Sequence, residues 1–168
     1  MPNGLEIERK FLVGMPDLSL LDVRREVSIL QIYLVNGENG SQRRVRRIDE
    51  MDDTRYVYTE KEFITPVTRR ENEKDITREE FVTLLKQVRK DCVPIEKTRV
   101  CFFYKEQMFE LDVYPFSQEL AILELELQSP EQEIEFPPEI TVIKEVTGEE
   151  EYSNANLAND GGFPGEKI

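Results

Sequence analysis

Eight short segments in which charged and apolar residues alternate predict a mainly β fold of the α+β class, with antiparallel strands and two helices. The segments are 4–13, 29–35, 42–49, 54–63, 69–76, 95–104, 107–114 and 120–128. Their links carry turn chemistry: Asn36-Gly37-Glu38-Asn39-Gly40, Asp49 to Asp53, and Lys105-Glu106 read as hairpin connections. In strand after strand one face is charged with both signs and the other is apolar, as in Phe109-Glu110-Leu111-Asp112-Val113 and Ile122 to Leu127. A chain of 168 residues can bury one sizeable core, so residues 1–168 are expected to form a single domain.

In the first segment, Glu6, Glu8 and Lys10 fall on one face, and Ile7, Phe11 and Val13 on the other. Two carboxylates two residues apart on a strand can share a divalent cation, and the lysine beyond them can meet an anion bound to it. A water-facing strand with an incidental salt bridge would show the same pattern. An amphipathic helix is expected at about 17–27, from Leu18, Leu21 and Val23. Asn36 to Gly40 contains glycine, but neither Lys-Ser/Thr nor a helix follows, so it is no nucleotide-binding loop. Thr77 with Glu80 forms a capping-box signature, and Phe81, Leu84, Leu85 and Val88 follow at helical spacing. The surface holding Ile7, Phe11 and Val13 is the expected seat of that stripe. Beyond strand eight come a Glu- and Pro-rich stretch from Pro130 to Pro138, then Thr141 to Val146 and a polar tail. Gly161, Gly162, Pro164 and Gly165 predict looseness over about 159–168.

Composition excludes several chemistries. The chain has no histidine, which removes Ser-His-Asp and Cys-His catalysis and leaves carboxylates, Lys, Tyr or a metal to act. Two cysteines, Cys92 and Cys101, cannot make a conventional zinc site without histidine and are expected to be reduced thiols. With 35 acidic against 22 basic residues, the net charge of −13 predicts no nucleic-acid partner and no attraction to anionic membranes. With neither a basic-apolar leader nor a long apolar run, the expectation is a cytoplasmic protein.

The charged faces hold Glu6, Glu8 and Lys10; Arg44 and Arg46; Lys61; Arg69, Glu71 and Glu73; Lys97 and Arg99; Glu110 and Asp112; Glu124 and Glu126. An open sheet could turn all of them into water. Eight antiparallel strands can also close into a barrel, with these groups lining a polar tunnel and the helices packed outside. Buried in near-equal numbers, such cations and carboxylates must be paired, wetted or occupied by ligands. Divalent metal plus polyphosphate would balance them, whereas an apolar cofactor would not.

These residues resemble the CYTH domain of the triphosphate tunnel metalloenzymes, over about residues 4–158. Glu6-Ile7-Glu8-Arg9-Lys10 is similar to the family's E-x-E-x-K signature, Arg44-Val45-Arg46 to its Arg-x-Arg strand, and Thr59-Glu60-Lys61 to its Thr-x-Lys strand. Arg69 to Glu73, Lys97-Thr98-Arg99, Glu110-Leu111-Asp112 and Glu124-Leu125-Glu126 continue the pattern in the family order. Val146-Thr147-Gly148 with Tyr152-Ser153-Asn154 resembles the closing segment of short bacterial members.

The resemblance implies a closed eight-stranded tunnel and metal-dependent hydrolysis, most directly of inorganic triphosphate to diphosphate and phosphate. It also implies Mg²⁺ or Mn²⁺ on Glu6, Glu8, Glu124 and Glu126. Lys10, Arg44, Arg46, Lys61, Arg69, Lys97 and Arg99 would hold substrate, and Lys10, Glu73 and Asp112 would take part in the chemistry. The expected partner is a small-molecule triphosphate, with a homodimer left open. Class IV-type adenylyl cyclase, thiamine or nucleoside triphosphatase, and a non-catalytic polyphosphate-binding module are the alternatives. Glu60, Glu62, Asn72, Glu150 and Glu151 depart from the family pattern and bear on substrate choice.

Overall fold

Each expected strand forms, and the sheet closes on itself. The computed structural model describes residues 5–165. Its strands are β1 (Leu5–Gly14), β2 (Asp22–Leu34), β3 (Gln42–Glu50), β4 (Asp53–Phe63), β5 (Thr68–Ile76), β6 (Ile95–Tyr104), β7 (Gln107–Val113), β8 (Leu120–Glu126) and β9 (Val142–Glu145). The helices are α1 (Arg78–Leu84) and α2 (Asn154–Asp160). Antiparallel pairing runs β5-β4-β3-β2-β6-β7-β8-β1-β9, and β5 returns to β1. Three residue pairs make that closure: Leu5 with Arg70, Glu6 with Arg69, and Ile7 with Thr68. Further along the same edge of β1, β9 pairs with Phe11 to Val13. The result is an eight-stranded barrel with a short ninth strand on part of one seam, so the edge that an open sheet would expose is covered.

Local chemistry explains the turns. Lys105 and Glu106 both adopt positive φ, 48° and 63°, as a two-residue hairpin loop requires. Met51, at φ 54°, turns β3 into β4. Thr77 caps α1 in a complete capping box with Glu80.

Two expectations about helices are corrected. Residues 17–27 form only a single 3₁₀ turn, Leu18–Leu20, before β2 begins at Asp22. Val23, Val27 and Ile29 are β-branched and follow a period of two, and the segment pairs with β6 from Asp22 to Gln31. The α1 stripe also lies elsewhere than expected. Phe81, Leu84 and Leu85 cover Ile32, Leu34 and Val45 of β2 and β3, and the Phe81 ring sits 4.8 Å from Tyr56 of β4. The outer face of β1 is taken by a different lid. Phe11, Val100, Phe109 and Leu123 pack with Ile140, Phe136, Leu18 and Leu21, which come from the loops before β2 and β9.

One end of the barrel is plugged. Leu12, Ile95, Tyr114 and Ile122 point inward there and pack against Tyr152, Leu157 and Phe163. Tyr152 is thus a packing residue of the final segment, as its aromatic character suggests. The Tyr114 hydroxyl donates to Asn154 Oδ1 at 2.6 Å, and Asn159 bonds the backbone of Asp91 and Val93, tying α2 down. Phe163 is fully buried, so the looseness expected from 159 onward does not reach that ring; residues 166–168 lie outside the described residues. No described helix is long and apolar enough to cross a membrane.

Candidate active site

Because the barrel is closed, even-numbered residues of β1 and β3 and odd-numbered residues of β5 face inward, and the charged faces converge on one cavity of about 980 Å³. Glu6, Glu8, Lys10, Arg44, Arg46, Lys61, Arg69, Glu73, Arg99, Glu124 and Glu126 all line it. Lys97 and Asp112, also expected in the site, lie behind Arg99 with side chains 1% and 0% exposed. The Asp112 carboxylate accepts from Lys97 Nζ at 2.8 Å and from Arg99 at 2.8 and 2.9 Å. As built, Asp112 orients those two cations.

The lining divides into two walls. The acidic wall, from β1, β5, β7 and β8, is met by cations of the protein. Arg69 reaches Glu8 at 2.5 Å and Glu6 at 3.2 Å, with Glu71 3.9 Å away. Glu124 lies 3.5 Å from both Lys10 and Arg99, and Glu110 lies 3.2 Å from Arg99. Glu126 is exposed and is the cross-strand partner of Glu8. Among the described residues, no three carboxylates are gathered closely enough to enclose a metal ion as they stand.

The basic wall, from β2, β3 and β4, is left partly unanswered. Arg44 Nε, Arg46 Nε and Thr59 Oγ1 are buried without a hydrogen-bond partner, and so is Gln31 Oε1. The register gathers them, since Arg44 pairs with Thr59 and Tyr33, and Arg46 pairs with Gln31. Buried polar groups ordinarily find partners, and of these four residues Arg44 and Arg46 line the cavity, where a ligand could meet their guanidinium groups. Arg46 does hold Glu73 at 3.0 Å, and Lys61 holds Glu71 at 3.5 Å. Val27, Ile29 and Ile48 add an apolar strip to this wall.

Electrostatics follow from the crowding. Burial, and then a hydrogen bond with Glu71, push the Glu6 carboxyl up to about 7 against the pull of Arg69. Burial would raise Glu71 too, but Lys61, Arg44 and Arg69 hold it well below the ordinary carboxylate range. Burial, then the neighbouring Arg44 and Arg69, bring the Lys61 amine down to about 7. Burial lowers Lys97 to about 8, offset in part by Asp112. Burial and Arg44 lower Arg46 to about 10. Glu124 stays ionised despite burial because Lys10, Arg99, Lys97 and Arg69 surround it.

Several lining residues were not singled out in the sequence as part of the site. Arg25 lies in the segment read as helix, and a period-two reading through Val27 and Ile29 would have found it. Tyr33 and Cys101 also line the cavity. Glu71, on the charged face of its strand but not among the expected site residues, lies between Lys61 and Arg69.

No family model matches this chain, and no curated protein matches it. Among solved structures, it is similar to the inorganic triphosphatase NE1496, with 31% identity over 92% of this chain and 94% of that one, at a TM-score of 0.57. A second structure of NE1496, described as a hypothetical protein, matches at 31% identity over 95% and 99% of the two chains, with a TM-score of 0.58. The PH1819 protein of Pyrococcus horikoshii shares the fold at 17% identity over 74% and 80% of the chains, with a TM-score of 0.58. With that likeness added to a charged, closed eight-stranded tunnel carrying E-x-E-x-K on its closing strand, the chain belongs to the CYTH, or triphosphate tunnel metalloenzyme, family.

Proposed function

We propose that this chain is a divalent-cation-dependent triphosphatase that hydrolyses inorganic triphosphate to diphosphate and phosphate. The observation that carries this reading is the pair of buried guanidinium donors without a partner, Arg44 Nε and Arg46 Nε, in a tunnel whose opposite wall is carboxylate. The likeness to the inorganic triphosphatase NE1496 supports it.

Arg44, Arg46 and Lys61 would bind phosphate oxygens from one wall, with Lys10, Arg69 and Arg99 available from the other. Charge-assisted, bidentate hydrogen bonds suit the equatorial oxygens on which charge spreads during phosphoryl transfer. Asp112 holds Arg99 and Lys97 in place. Lys10 is assigned to the charge that develops on the leaving oxygen, and Glu73, beside Arg46, to orienting the attacking water. The plug of Tyr152, Leu157 and Phe163 keeps bulk water from one end.

Glu6, Glu8, Glu124 and Glu126 are the residues that would hold Mg²⁺ or Mn²⁺. The fit rests on their all-oxygen donor set, which suits hard cations, and on a Glu124 carboxylate whose ionised form the neighbouring cations favour despite burial. Such a cation, when bound, would neutralise phosphoryl charge and ease deprotonation of water.

The apolar strip of Val27, Ile29 and Ile48, with Phe63 and Ile64 on the same lining, favours a second reading in which the triphosphate bears an organic group. Phosphate release from inorganic triphosphate, ATP and thiamine triphosphate, with and without Mg²⁺ or Mn²⁺, tests both. Metal-dependent release from inorganic triphosphate above the others is expected. Silence on all three substrates would overturn the hydrolase reading, and cyclic AMP from ATP would replace it with a cyclase.

A further inference from the structure

We infer that Arg69 is a built-in counter-cation of the metal site, bound to the β1 carboxylates and displaced from them when a divalent ion enters. This rests on the proposal that Glu6 and Glu8 hold the metal, and it adds a step to it.

The geometry is specific. Arg69 is the cross-strand partner of Glu6 at the barrel closure, so its side chain is fixed beside both glutamates of the strand. Its Nη2 lies 2.5 Å from Glu8 and its Nε 3.2 Å from Glu6, and only 16% of the side chain is exposed. Two carboxylates on one strand face, largely removed from water, repel each other unless a cation lies between them. The guanidinium takes that position. Glu6, Glu8 and Glu71 thus surround the guanidinium, and no three carboxylates among the described residues are placed to hold a metal ion. A divalent ion cannot share oxygens already held by a guanidinium at hydrogen-bond distance without strong like-charge repulsion.

Glu71 offers the displaced Arg69 an alternative partner 3.9 Å away, and an incoming polyphosphate would offer a second. The arrangement therefore makes metal binding weak without the anion and couples it to the anion's arrival, because substrate oxygens take up the cation that the metal expels.

Mn²⁺ binding to the full chain, read by the electron paramagnetic resonance of the free ion and without phosphate, tests the inference apart from turnover. Arg69→Gln removes the competitor and should tighten Mn²⁺ by about tenfold or more, while Arg69→Lys, which keeps the charge, should stay within about threefold of the parent. Added Mn²⁺ should then raise the melting temperature of Arg69→Gln more than that of the parent. Equal or weaker binding by Arg69→Gln would overturn the role given to Arg69 and leave the metal reading standing. No binding by parent or variants, up to concentrations that saturate ordinary carboxylate sites, would sink the metal reading itself. Should Arg69→Gln fail to fold, Mg²⁺ titration of the parent, followed on its arginine Nε–H resonances, gives the answer. One guanidinium must change environment as metal binds, and binding that leaves every such resonance unmoved would overturn the inference.

Discussion

The two walls of the tunnel handle the same problem, charge removed from water, in opposite ways. On the acidic wall the protein answers its own carboxylates, with Arg69 on Glu6 and Glu8, and Arg99 and Lys10 on Glu124. On the basic wall it leaves donors unanswered, at Arg44 Nε, Arg46 Nε and Thr59 Oγ1. Satisfying a buried charge stabilises the fold, whereas leaving it unsatisfied costs stability and stores binding capacity for a ligand of opposite sign. The tunnel is thus preorganised for an anion and self-neutralised against a cation.

Arg44 gives the sharpest way to break that contrast. Arg44→Met should lower kcat/KM by about 10²–10³, the scale of losing one preorganised charge-stabilising donor. The same change should leave the melting temperature equal or higher, because it removes a buried cation with an unpaired Nε. Steady-state kinetics and thermal unfolding on the same preparation decide it. A fall in stability parallel to the fall in activity would mean that Arg44 is answered within the fold, and the distinction between the walls would collapse.

The plug is next in size and sharpens the comparison by removing water exclusion instead of charge. Leu157 is fully buried in the cluster that seals the barrel end. Leu157→Ala should cost about 2–5 kcal/mol by denaturant unfolding, the range for a truncated core leucine. A cost under about 1 kcal/mol would mean that α2 rests loosely on the barrel.

Much of this was legible in the sequence because strands report their faces by alternation. Phe109 to Val113 and Ile122 to Leu127 show inside and outside at once, and Asn36 to Gly40 and Lys105-Glu106 mark their own turns. Closure itself was not legible from alternation, since three pairs between Leu5–Ile7 and Thr68–Arg70 decide it and any two strand edges could make them. The helical spacing of Leu18 and Leu21 extends a helix reading to residue 27, whereas residues 22–27 already belong to β2. The plug was hidden because a seven-residue helix with one buried residue, Leu157, carries almost no periodicity. Of the candidate site residues, the structure separates Lys97 and Asp112 from the cavity. Sequence gives the face on which a side chain lies but not the depth at which a neighbour such as Arg99 covers it.

Lys61 turns the contrast into a proton count. Burial first, then repulsion from Arg44 and Arg69, bring its amine to about 7, far below the ordinary lysine value of 10.5. Between pH 7 and 10 the unfolded chain therefore holds a proton that the folded chain lacks, so this group makes stability rise with pH through that window. Binding runs the other way. A polyphosphate beside Lys61 favours the ammonium, so ligand binding at pH 8 should take up to about one proton, and at pH 6, where the amine is already charged, almost none. Calorimetric titration of inorganic triphosphate without metal, in two buffers of different ionisation enthalpy, measures the uptake. Lys61→Met should abolish most of it, and uptake unchanged in that variant would assign the proton to another group. Uptake near zero at pH 8 would mean that the Lys61 amine is already charged before the anion binds.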